Sequence, residues 1–213
     1  MPHQTTNRHR RQILLWLVVM NLIATLVGST TKRADAGERP TLVVRIDNLV
    51  AVSAENLRVA EARAAEVFAR AGVGVRWMDE DAVVRHGIRP PFTIVLVRGT
   101  NTAKSSVLAT DALGLADLQV RRAHVFYDRI EALNVRSLRS AASVLGDVIA
   151  HELGHLVLSR PTHSADGIMR AGVETRLRAL ETFTHAEARD ILSHLRQVLP
   201  MQMAEAAGDR HGL

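Results

Sequence analysis

Residues 137–158, "SLRSAASVLGDVIAHELGHLVL", constrain this chain more than any other stretch, because they repeat at helical spacing and are apolar on nearly every side. Leu138, Ala142, Leu145 and Ile149 recur at intervals of three and four, which predicts a helix running to Leu158. Apolar neighbours in "VIAHELGHLVL" make exposure of that whole face improbable. Pro161 forbids continuation of the helix. Yet the run "VIAHELGHLVL" carries two histidines and a glutamate, and groups of that kind are buried only where something satisfies them.

The segments before this helix supply a sheet to pack it on. "TLVVRIDN" (41–48) alternates, with Leu42, Val44 and Ile46 on one side and Arg45 and Asp47 on the other, as a half-buried strand does. From Ser53, a good N-cap, apolar residues recur at Leu57, Ala60, Ala64, Val67, Phe68 and Ala71, and Gly72 stands where a C-cap glycine is expected. "VGVRWMD" (73–79) and "PFTIVLVR" (91–98) predict two further strands, and "AHVFYDRI" (123–130) a fourth. "DALGLADLQV" fits neither period. After the Pro161 break a last helix is expected from Thr184, which has the capping-box spacing to Glu187 and a buried face of Ala188, Ile191, Leu192, Leu195 and Val198. The order of elements predicts an α/β (α+β) domain in which one mixed, twisted sheet is covered by helices.

The first 36 residues have a different character. Three arginines precede an apolar run from Ile13 to Gly28, and "ADA" at 34–36 offers small residues of the kind a signal peptidase accepts. Residues 1–36 are therefore expected to be an export signal or an N-terminal membrane anchor, with residues 37–213 as one domain placed in the periplasm, secreted, or held at the outer face of the inner membrane. A run of sixteen residues, broken only by Asn21 and Thr25, is short of the roughly 20 that span a bilayer, whereas Lys32 and Arg33 next to the cleavage site favour an anchor formed by residues 13–28. Arg10-Arg11 adds a faint twin-arginine signal. Residues 1–36 also hold five of the 27 basic residues and one of the 22 acidic ones. The remainder is almost neutral, so no basic face for a nucleic acid is expected.

With no cysteine in the chain, any metal must be held by His, Asp or Glu. His151 and His155 are four apart, so on a helix their imidazoles share a face and can point at one ion, while Glu152 sits beside it. This is the HExxH arrangement, in which two histidines bind zinc and the glutamate takes a proton from the water that zinc acidifies. A catalytic zinc needs a third protein ligand and an open position. His163 lies just past the break at Pro161, and Gly167 permits a tight turn before Met169.

"HELGH", then "HS" and "GIM", resembles the metzincin clan of zinc peptidases, and most closely its matrixin-type members, with their HExxHxxGxxH pattern and methionine-bearing turn. The resemblance implies a zincin-like fold with an active-site helix, Zn²⁺ on His151, His155 and His163, and Glu152 as general base. It further implies that Met169 floors the site, that a peptide or protein is the substrate, and that the C-terminal helix closes a small subdomain. Two departures stand out. Leu158 replaces the family's glycine, and His163 comes twelve residues after the first histidine rather than ten. The turn must therefore be built differently, from Ser159, Arg160 and Pro161. The specific match covers about 20 residues, and the rest agrees only in the order of elements.

Other residues compete for these roles. Asp166 is the rival third ligand, followed by Glu174, Glu181 and Glu187 further on. Asp147, one turn before His151, could accept a hydrogen bond from a ligating imidazole, but such an aspartate is more often solvated and is left out of the site. Tyr127 would line a cleft if its strand were the sheet edge, but plain packing is the favoured reading. His124 reads as an ordinary strand residue, and His185 and His194 as surface. The chain is thus expected to be an exported zinc metallopeptidase. The alternative is an exported, non-catalytic zincin-fold domain that keeps a structural metal and binds a protein partner.

Overall fold

The computed structural model describes residues 39–78, 90–99, 112–134, 139–160, 163–172 and 181–208. The expected export signal or anchor at 1–36, Pro161 and Glu174 lie outside these residues.

Five strands form one mixed sheet in the order β2-β1-β3-β5-β4, from β1 (Thr41–Asn48), β2 (Gly74–Met78), β3 (Phe92–Val97), β4 (Gly114–Asp117) and β5 (Arg122–Phe126). β1 pairs in parallel with β2 and β3, β3 pairs in parallel with β5, and only β4 runs antiparallel, against β5. The alternation read from β1 is realised. Leu42 and Val44 are fully buried, and Arg45 pairs with Asp47 at 2.7 Å on the other face.

Among the described residues, four helices accompany the sheet: α1 (Ala54–Arg70), α2 (Tyr127–Asn134), α3 (Ala141–Leu158) and α4 (His185–Gly208). α1 and α3 pack on each other, α1 against β2 and α3 against β3, β4 and β5. Their buried side chains, among them Phe68, Leu145, Ile149 and Leu153, join Leu42, Ile94 and Leu96 of the sheet in one core. Each such aliphatic or aromatic side chain contributes about 1.5–3 kcal/mol relative to exposure. α3 is long and apolar enough to cross a membrane, but 83% of it is buried in the fold, which makes it the central helix of the domain.

Local chemistry sets the helix ends. Ser53 Oγ accepts from Asn56 N at the start of α1, and Gly72 takes φ +80° after its end. α3 begins at Ala141 rather than near Ser137, because Ser140 supplies the cap by accepting from Ser143 N. In α4, Thr184 N donates to Glu187 Oε2 at 2.8 Å and Glu187 N to Thr184 Oγ1 at 3.3 Å, the reciprocal pair expected of a capping box.

One expectation is corrected. The strand anticipated over 123–130 ends at Phe126, and Tyr127 opens α2. Asp128 draws the chain into the helix by accepting from Gly99 N at 2.9 Å, while Tyr127 and Ile130, three apart, are both buried. Tyr127 therefore belongs to the core and not to a sheet edge. The edge is β4, formed by part of the "DALGLADLQV" stretch that fitted neither period.

Candidate metal centre

His151 and His155 project from the last two turns of α3 and are 2% and 6% exposed. His151 Nδ1 lies 2.7 Å from the carbonyl oxygen of Ile168, and His155 Nδ1 lies 2.9 Å from that of Arg160. A carbonyl can only accept, so each Nδ1–H donates to its carbonyl and each ring turns its Nε2 toward the other. These two Nε2 atoms are 3.0 Å apart. Zinc bonds imidazole nitrogen at about 2.0–2.1 Å, so one ion can reach both.

The third histidine arrives through an unusual helix stop. Ser159, in the left-handed region at φ 52°, caps α3 and turns the chain so that the next carbonyl, that of Arg160, meets His155. His163 then comes back over the helix end, its ring stacked 5.2 Å from His151 and set edgewise 5.0 Å from His155, centroid to centroid. One nitrogen from each of the three rings lies within 4.8 Å of the others, and the group could hold a metal ion. His163 is exposed, which leaves the group open on one side.

Below the histidines the chain makes a tight return. Gly167 takes φ +74°, Ser164 N bonds Met169 O at 3.0 Å, and Ile168 N bonds Thr182 O at 2.9 Å. Met169 is 1% exposed and packs on Gly154, where a side chain would leave it no room. Met169 thus packs against α3 at the glycine between Glu152 and His155. The return also places the Ile168 carbonyl that orients His151, a contact that no side-chain motif announces.

Glu152 is 4% exposed. Its carboxylate occupies the space that a side chain at Gly114 of β4 would fill. Gly114, Leu115, Ala116 and Leu118 form one wall of a cavity of about 150 Å³ whose other lining residues are His151, Glu152, His155 and His163. Reasoning from sequence missed this wall, since four residues are too few to display a period. A hairpin from Gly114 through the Leu118–Arg121 loop into β5 was the available signal.

The rival ligands are engaged elsewhere or turned away. Asp166 is exposed and outside the histidine group. Glu187 closes the α4 cap and accepts from Ser164 Oγ. Glu181 meets Arg170 at 3.4 Å. Asp147 is not a solvated helix residue. It is 1% exposed and accepts from Arg63 Nε at 2.7 Å and Arg139 Nη1 at 2.5 Å. His124 sits on β5 opposite Leu115, and His185 and His194 lie on the outward side of α4, exposed and half-buried respectively.

No family model matches the chain, and no curated protein does. Among solved structures it is similar to archaemetzincin from Methanopyrus kandleri, 14% identical, covering 76% of this chain and 98% of that one with a TM-score of 0.47.

Proposed function

We propose that this chain is an exported zinc-dependent metallopeptidase in which His151, His155 and His163 hold Zn²⁺ and Glu152 is the general base. The observation that carries the reading is the convergence of three imidazoles and one buried carboxylate on a single cavity walled by an edge strand. When bound, zinc would supply Lewis acidity and bring the pKa of water toward about 7. Glu152 takes up the proton that water loses and later delivers it to the leaving amine. Held against Gly114, its carboxylate has little freedom to swing away, and that fixed position is what proton transfer at hydrogen-bond distance demands.

The sheet edge supports a peptide as substrate. Phe126 N bonds Leu113 O, so Leu113 and Phe126 are a hydrogen-bonded pair, and by the register Leu115 with His124 and Asp117 with Arg122 are the next. Antiparallel alternation then turns the N–H and C=O of Gly114 and Ala116 to the open side. An extended peptide can add there as a further strand, running past the histidines. The basic, apolar N-terminus supports export, with residues 13–28 as a route to membrane attachment.

The test is peptide-library cleavage with zinc content measured in parallel, comparing the parent with Glu152→Gln. Cleavage by the parent, lost in a variant that keeps its zinc, is the expected result. A parent that keeps full zinc and cleaves nothing would instead point to a structural metal in a domain that binds a protein partner.

A further inference from the structure

Arg63 and Asp147, two buried charges outside the cavity lining, belong to a closed circuit that ends on His151. Arg63, on the buried side of α1 and 7% exposed, sends Nε to Asp147 Oδ1 at 2.7 Å, Nη2 to the Glu181 carbonyl at 3.0 Å, and Nη1 to Glu66 at 3.0 Å. Asp147 stands on α3 one turn before His151. Glu181 is joined to Thr182, whose carbonyl accepts from Ile168 N, and the Ile168 carbonyl faces His151 Nδ1. The circuit therefore leaves α3 at Asp147, crosses Arg63 to the 181–182 strap, passes to the Met169 return, and re-enters α3 at His151.

Setting the buried Arg63 and the half-buried Arg139 around one buried carboxylate is not an efficient way to stabilise a core, because desolvation consumes most of the attraction and apolar replacements are often as stable. Such a group does fix geometry, since a planar guanidinium with several engaged nitrogens tolerates few arrangements. The geometry points to Arg63 as a positioning residue. It sets the distance between α3 and the 181–182 strap, and so holds the Ile168 carbonyl where it keeps the His151 proton on Nδ1. This inference rests on the three-histidine reading of the site but has a readout independent of it.

The experiment uses the 213-residue chain and the variants Arg63→Met and Arg63→Lys, and makes three measurements. They are zinc affinity by chelator competition, unfolding of the metal-free protein by denaturant, and the His151 imidazole tautomer by nitrogen-15 NMR of the metal-free protein. The parent is expected to show His151 protonated at Nδ1. In Arg63→Met that signal should give way to mixed tautomers, with zinc held about 10- to 100-fold more weakly, the range found when partners of ligating histidines are removed. Arg63→Lys, which keeps the charge but not the fork, should shift the same way.

A purely structural arginine would lower the unfolding midpoint and leave both the tautomer and the affinity of the folded protein unchanged, which would overturn the inference. If Arg63→Met does not fold, Arg63→Lys decides by the same readouts. If the parent takes up no zinc, the metal reading falls while the tautomer still decides the role of Arg63.

Discussion

Gly154 and Met169 share one volume: a Cβ built on Gly154 would lie 2.5 Å from the Met169 sulfur and 3.0 Å from Phe183 Cε1. The glycine between Glu152 and His155 is thus the recess into which Met169 packs. Gly154→Ala should gain up to about 1 kcal/mol from helix propensity and lose about 1–3 kcal/mol to overpacking. The sulfur sits on a flexible side chain, so the net change is expected to be a loss of about 1 kcal/mol. Gly146→Ala is the sharper case, because its Cβ would meet the Ala60 backbone oxygen at 2.6 Å and Arg63 Cβ at 2.7 Å. Backbone cannot swing aside. Denaturant unfolding should therefore rank Gly146→Ala well below Gly154→Ala, and the reverse order would show that the α1–α3 approach is looser than described.

His163→Ala removes the exposed member of the histidine group and should abolish stoichiometric zinc binding, while Asp166→Ala, outside the group, should keep one zinc per chain. Elemental analysis of both variants beside the parent checks this. Zinc retained without His163 would move the third ligand to another residue.

Tyr127 gives a pH dependence of known sign. Burial raises its pKa above 10.0, and the Glu131 charge adds to that, against a hydrogen bond with Asn56 that lowers it. The folded state therefore binds the phenolic proton more tightly than the unfolded chain. Its contribution to stability is fully present below the unfolded pKa and is lost as pH rises through the folded one. Tyr127→Phe should flatten the alkaline limb of a stability profile above about pH 10, and equal slopes in parent and variant would exclude Tyr127 as its source.

How much of this was legible in the sequence follows from the range of each interaction. Ser53, Thr184 and Glu187 bond backbone three residues away, so their helix ends could be read directly. The start of α3 at Ala141 was not marked by the periodicity, which runs back to Leu138. The three histidines meet because two share a helix face and the third returns after a short break. By contrast, the carbonyls of Ile168 and Arg160 that orient the imidazoles belong to backbone, which leaves no residue signature. The Arg63–Asp147 pair spans 84 residues of sequence. Its trace was nonetheless present, since Arg63 falls at the three-and-four spacing of Ala60, Ala64 and Val67, where an apolar residue would be expected.

The wall opposite the histidines yields the last prediction. The Glu152 carboxylate fills the space beside Gly114 that a methyl group would need. Gly114→Ala should push the carboxylate aside and lower hydrolysis by at least about tenfold, equivalent to roughly 1.4 kcal/mol of transition-state stabilisation. Zinc should remain, since none of the three imidazoles is touched. Ala116→Pro acts differently. It removes an N–H that faces the open side of β4 and is not needed for pairing with β5. Weaker substrate binding, seen as a raised KM with kcat less affected, is expected for Ala116→Pro, and a lowered kcat for Gly114→Ala. Kinetics of both variants on one cleaved peptide separate the two roles, and a lowered kcat with unchanged KM in Ala116→Pro would mean that substrate does not pair with this edge.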